Sequence, residues 1–250
     1  VMLDNLDTYT PEEVVEIGKL VDELATRRQN KLAYDDLIEF CCRMQSDYIV
    51  GEHHRLLANM LMDIERGDKD RICVNIPPRH GKSQLVSIFF PAWYLGRNPN
   101  KKVMMVSHTT DLAVDFGRKV RNLISTDAYK GIFPTVALAI DSKSAGRWNT
   151  NSGGEYYACG VGSALAGRGA DLLLVDDPHS EQEAAMAASN PDIYDKVYEW
   201  YTSGPRQRLQ PGGSIVVVMT RWSKRDLTGQ VVKAAAQRSG EEWEVIEFPA

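Results

Sequence analysis

Cysteine is scarce and poorly spaced for chemistry. Four occur in 250 residues, Cys41, Cys42, Cys73 and Cys159, two of them adjacent and none in a C-x-x-C pair. That spacing excludes a disulfide framework and a cysteine zinc site, and leaves buried free thiols as the expectation. His53 and His54 are neighbours rather than an i, i+4 pair, so they make no helical metal clamp. Nowhere do about 18 apolar residues run together, so no transmembrane helix is expected. The opening stretch, VMLDNLDTYTPEE, is acidic and lacks the charged-then-apolar order of a secretory signal. Internal repeats and low-complexity tracts are missing too. So is a surplus of positive charge: 29 Lys and Arg against 34 Asp and Glu give a net charge of −5. A mildly acidic balance does not by itself suggest a nucleic-acid binder.

What is present is ordinary globular composition, 43% apolar and 25% charged, which excludes disordered and collagen-like classes. The length fits one large α/β domain. Residues 1–66 read as a helical N-terminal section. Thr10-Pro11-Glu12-Glu13 is a helix start, with a cap residue, a proline in the first turn and acids beside it. Ile17, Leu20, Val21 and Leu24 follow at helical spacing, and two more helical stretches cover 35–44 and 53–64. Residues 67–250 read as an α/β core. Apolar runs at 71–76, 103–106, 155–161, 172–175, 214–219 and 243–248 predict strands. Helical patterns at 83–95, 110–124, 180–203 and 224–237 alternate with them. Such alternation predicts a mainly parallel sheet with helices on both faces. Ligands of such sheets bind beyond the carboxyl ends of the strands.

The residues after the first strand are Pro77-Pro78-Arg79-His80-Gly81-Lys82-Ser83. Gly-Lys-Ser between a strand and a helix is the core of a Walker A phosphate loop. Pro78, Arg79, His80, Gly81, Lys82 and Ser83 are therefore the candidate ATP-binding residues. Gly81 lets the backbone approach a phosphate. Free amides at the helix start point at the anion. Lys82 reaches the terminal phosphates, and Ser83 can ligate Mg2+. Ile76 stands where the full motif has its first glycine, and Arg79 adds a cation inside the loop.

The strand at 172–175 ends in Asp176-Asp177-Pro178, a Walker B pattern. Asp176 is the candidate second Mg2+ ligand, and Asp177 the group that orients the attacking water. In sequence, two strands separate the loop from this pair. That leaves room for a strand inserted between the two in the sheet, as in ATPases with a catalytic acid beside Walker B. The strand at 214–219 ends in Thr220-Arg221-Trp222-Ser223, and Thr220 is placed to sense the γ-phosphate and couple its loss to motion. Gly160–Gly169 carries four glycines and Arg168, an arginine expected to be exposed and able to act as a finger on a neighbour's nucleotide. Arg147, Arg206, Arg208 and Arg221 are rivals for that role.

Together these segments resemble the large terminase subunit of tailed bacteriophages, over roughly residues 45–250. The carriers are His53-His-Arg55, Pro77–Ser83, Phe90-Pro-Ala-Trp-Tyr-Leu95, Gly167-Arg-Gly-Ala-Asp171, Leu172–Pro178, Arg208-Leu-Gln-Pro-Gly-Gly213, and Thr220–Ser223 with Asp226–Gly229. The resemblance implies an ASCE, RecA-like P-loop NTPase fold and an ATPase that moves double-stranded DNA into a procapsid. It implies ATP and Mg2+, a trans arginine at Arg168 and a coupling residue at Thr220. It also implies an adenine pocket upstream of the loop, where His54 and nearby Tyr48 stand in place of the usual glutamine. Implied partners are a homo-oligomeric ring, such as a pentamer on a portal protein, and a small terminase subunit, in the bacterial host cytoplasm and without a membrane. The family's C-terminal nuclease domain is not expected within these 250 residues. Two alternatives stay open at this point: a helicase-like translocase of the same ATPase division, and a nucleotide-gated ring module with incidental turnover.

Overall fold

The computed structural model describes residues 9–142, 144–165, 167–237 and 242–248. Residues 1–8 of the acidic N-terminus, Ala166 of the glycine-rich loop and the final Pro249-Ala250 lie outside the described residues.

Helix α1 spans Pro11–Asp35, α2 Leu37–Met44 and α3 Glu52–Arg66. The predicted start of α1 forms as a reciprocal cap: Glu13 N–H donates to Thr10 Oγ1, and Thr10 N–H donates to Glu13 Oε2. The helix is longer than its packing, however. Ala33 is its buried residue, while Val15, Leu20, Val21 and Leu24 are exposed. The apolar spacing read from the sequence thus makes a helix whose first two thirds cover no core. α3 ends at Gly67, whose φ of 79° closes the last turn in a left-handed conformation.

The core alternates strand and helix. In order come β1 Arg71–Asn75, a π-helical turn Gln84–Phe89 running into α4 Phe90–Arg97, β2 Lys102–Ser107, α5 Thr110–Ile124 and α6 Asp127–Ile132. Then follow β3 Arg147–Asn149, β4 Glu155–Gly160, β5 Ala170–Asp176, α7 Glu181–Ala187 and α8 Asp192–Ser203. A short 3-10 turn Pro205–Arg208 leads to β6 Leu209–Met219, α9 Leu227–Gln237 and β7 Glu244–Glu247. The π turn has a local cause in Pro91, which has no N–H for the Ser87 carbonyl and would press on it in an unbroken α-helix. Phe90 N–H reaches back to Leu85 instead.

The seven strands form one sheet in the order β3-β4-β2-β5-β6-β1-β7. Every pairing is parallel except β3 with β4. The apolar runs that suggested central strands sit at the centre, and successive residues feed opposite faces. Leu172, Leu174, Val216 and Val218 join the core under α3, the π turn, α4 and α5. Leu173, Val175, Val217 and Met219 join the core under α8 and α9. Each such fully buried side chain contributes roughly 1.5–3 kcal/mol, so these strands anchor the ends from which the site is built.

Two expectations change, and two elements were not anticipated. The strand inserted between β1 and the acidic pair is β6, which comes later in the chain; β2 and β4 lie on the far side of β5. The edge strand β3 and helix α6 had no clear signal. Cys42 is exposed, while Cys41, Cys73 and Cys159 are the buried free thiols expected. Among the described residues, no helix is long and apolar enough to cross a membrane.

Candidate active site

β1, β5 and β6 are adjacent, so their carboxyl ends bring together the three segments singled out by sequence: 76–83, 176–177 and 220. Ile76 is buried, and its N–H donates to the Met219 carbonyl, which ties the start of the loop to β6. The loop then turns through two left-handed positions, Arg79 at φ 66° and Gly81 at φ 73°. Glycine takes that conformation freely; an arginine there is uncommon. A Cβ on Gly81 would also lie 2.5 Å from His54 Nε2, so the position admits glycine on two counts.

The loop is braced from below by α3. His54 Nδ1 accepts the Gly51 N–H at 3.0 Å, which leaves the ring proton on Nε2 to be donated to the His80 carbonyl at 3.0 Å. His53 Nε2 reaches the same carbonyl at 3.1 Å. Burial, then the neighbouring His53, lower the His54 pKa and favour this neutral form. The Tyr48 ring packs 5.6 Å from His54 and 5.4 Å from Phe89. His54 thus contacts the loop backbone directly, and Tyr48 packs behind it against the core.

Lys82 is buried, with its Nζ 2.6 Å from Asp177 Oδ2. The other Asp177 oxygen accepts the Thr220 N–H at 2.9 Å. Asp177 itself sits at φ 41°, immediately before Pro178. A residue before proline normally takes an extended conformation, and backbone held this way costs of order 1–3 kcal/mol. The β6 carbonyl of Val218 holds it there by accepting the Asp177 N–H at 2.9 Å. Asp176 is buried, and its Oδ2 accepts the Ser87 hydroxyl at 2.6 Å. Its Oδ1 is buried without a hydrogen-bond partner. Burial first, and then the adjacent Asp177, raise the Asp176 pKa; Ser87, Lys82 and Ser83 act in the opposite direction.

These groups open onto a cleft of about 740 Å³, with Arg79, Lys82, Asp177 and Thr220 on its wall. Other lining residues were not anticipated from sequence, among them three from neighbouring strand ends. His108 and Thr109 follow β2, and His179 follows the acidic pair. The rule that strand ends carry the site would have found the first two. His179 is buried, and its Nε2 accepts the Leu227 N–H at the start of α9 at 3.0 Å. The fully buried Asp226 folds the 221–229 segment by accepting from Arg221 Nε and from the N–H groups of Trp222, Ser223 and Gly229.

Arg168 departs from its expected exposure. Its Nη1 lies 3.0 Å from Glu155 Oε1, its side chain is 25% exposed, and its guanidinium stacks 4.8 Å from the Tyr157 ring centre. Glu155 and Tyr157 are two apart on β4 and so present one face to it. Arg147 shares the same Glu155 oxygen at 2.9 Å.

The family description that matches residues 73–203, just over half of the chain, is terminase large subunit, T4likevirus-type, N-terminal. The chain belongs to this family. Among solved structures it is similar to the crystal structure of the HK97 bacteriophage large terminase, with a TM-score of 0.52 and 11% identity. That match covers 80% of this chain and 40% of the HK97 chain, so the present sequence corresponds to less than half of that terminase. At this identity the likeness concerns the fold: a mostly parallel sheet of the terminase ATPase type. No curated protein matches the chain.

Proposed function

We propose that this chain is the ATPase motor part of a phage terminase large subunit, hydrolysing ATP to drive double-stranded DNA into a procapsid. One observation supports this above the others: Lys82, Asp177 and the Thr220 N–H meet at three adjacent strand ends, beside a buried carboxylate oxygen of Asp176 that has no partner. Among the described residues, no three His, Cys, Asp or Glu side chains converge on a metal position. An all-protein cage is thus a poor fit. A cation held by Ser83, Asp176 and substrate phosphates is the mode that Mg2+ prefers. When bound there, Mg2+ would neutralise charge on the β- and γ-phosphate oxygens.

The chain's own groups then divide the work. Pro78, Arg79, His80 and Gly81 shape a loop whose amides face the phosphates. Lys82 exchanges its Asp177 partner for a phosphate oxygen. Asp177 Oδ2, released, accepts a proton from the attacking water. The water oxygen bonds to the γ-phosphorus in line as the bond to the bridging oxygen breaks, and the proton leaves with the phosphate. Thr220, still hydrogen-bonded to Asp177 through its N–H, moves when that carboxylate moves, and so passes the event to the 221–229 segment and α9.

Arg79, with a neighbour's Arg168, would stabilise the developing charge. For Arg168 the Glu155 bond must first open. A partly exposed pair of this kind is worth under about 1 kcal/mol, so a phosphate can displace it. Tyr48 and His54 stand upstream of the loop where the family places its adenine pocket. Their contacts favour support of the loop over direct reading of the base. The ring, portal, small subunit and host-cytoplasm setting follow from the family and belong to this same proposal.

The test is nucleotide binding and phosphate release by the whole chain with ATP and Mg2+. Lys82→Ala is expected to lose turnover, with nucleotide binding weakened. Wild-type turnover by that variant would remove the site assignment.

A further inference from the structure

The helix that follows the phosphate loop carries two serines one turn apart, Ser83 and Ser87. Residues three or four apart share a helix face, and Ser87 donates its hydroxyl proton to Asp176. Ser83 belongs to the loop motif. Ser87 belongs to no motif, lies inside the π-helical turn and is fully buried. Pro91 accounts for the turn locally, and π turns within helices are also frequent at functional sites.

A serine inside a helix commonly returns its proton to a carbonyl of the preceding turn. Ser87 instead donates at 2.6 Å to a carboxylate 89 residues away in sequence. The bond is short, as expected when a hydroxyl donates to a charged acceptor. It also discriminates between the two carboxylate oxygens. Oδ2 takes the Ser87 proton, and Oδ1 is left buried with no partner. A buried carboxylate oxygen without a partner is costly to keep. On a carboxylate beside the phosphate loop, such an oxygen is suited to receive a cation.

We propose that Ser87 is a positioning residue for a divalent cation. By fixing Asp176 Oδ2 it turns Oδ1 toward the cation that Ser83 and Asp176 would hold, a role that rests on the nucleotide reading above. Ser87 touches neither substrate nor metal. It acts through the carboxylate, as outer-shell partners of metal ligands do.

The probe is Mn2+, measured by electron paramagnetic resonance on the whole chain with a non-hydrolysable ATP analogue. Ser87→Ala is expected to weaken Mn2+ binding roughly ten- to a hundred-fold, while nucleotide affinity without metal stays unchanged. Ser87→Cys keeps the size of the side chain but donates weakly. It should fall between the two, and it carries the test if the alanine variant does not fold. A folded variant of either kind, with wild-type circular dichroism and wild-type Mn2+ affinity, overturns the proposal. A wild-type chain that binds neither the analogue nor Mn2+ overturns the nucleotide reading instead, and the role of Ser87 with it.

Discussion

At the scale of single residues, the site is built from side chains that restrain one another. Lys82 neutralises Asp177, Ser87 holds Asp176, and two histidines hold the His80 carbonyl. The histidines make a pH prediction. Burial lowers the pKa of both His54 and His179. The unfolded chain therefore takes up protons at these rings before the folded chain does, and stability falls as pH drops through that interval. Asp176, with its raised pKa, acts in the opposite sense at lower pH. Melting temperature should thus decline from about pH 7.5 to about pH 5.5, and the decline should flatten in a His54→Gln, His179→Gln double variant. An equal decline in that variant would show that these rings are not the cause.

Much of this scale was legible before the structure. The gathering of Lys82, Asp176, Asp177 and Thr220 at neighbouring strand ends was readable because each follows an apolar strand of a parallel sheet. Ser87 and His179 were not legible, since a lone serine in a helix and a lone histidine after a turn have many ordinary uses. Arg168 was misjudged on exposure. Glycines on both sides suggest a free loop, and no local signal says that Glu155 and Tyr157 lie beside it.

At the scale of elements, uninterrupted apolar runs such as 172–175 and 215–219 were readable because strands buried on both faces need no polar alternation. Strand order was not readable, because it is decided by packing at long range. β6 lies between β5 and β1, although β1 is far from both in sequence. The π register is likewise invisible to periodicity, although Pro91 hints at a local break. α1 separates propensity from packing most clearly. Its cap and spacing suffice for a helix, yet Val15, Leu20, Val21 and Leu24 face outward. Deletion through Arg28 should therefore leave the core intact and move the melting temperature by no more than about 2 °C. Unfolding of the truncated chain, followed by differential scanning calorimetry, would show that this segment supports the core after all.

At the scale of the whole molecule, the net charge of −5 has a narrower meaning than it first had. It does not exclude DNA; it makes a single copy a poor holder of it. Grip on a phosphate backbone needs several cations acting together, which the proposed ring of subunits would present on local basic loops. In the proposed motor, the groups assigned to nucleotide sit where β6 lies between β1 and β5, so that the Thr220 N–H rests on Asp177. The central claim is that Asp177 alternates between Lys82 and the attacking water. Asp177→Asn tests it most directly, with Mg2+·ATP binding and phosphate release measured on the same preparation. Removing the charge that competes for Lys82 should leave binding equal to or tighter than wild type, while release falls at least about a hundred-fold. Wild-type turnover in Asp177→Asn, or loss of binding together with turnover in a folded variant, would contradict the account.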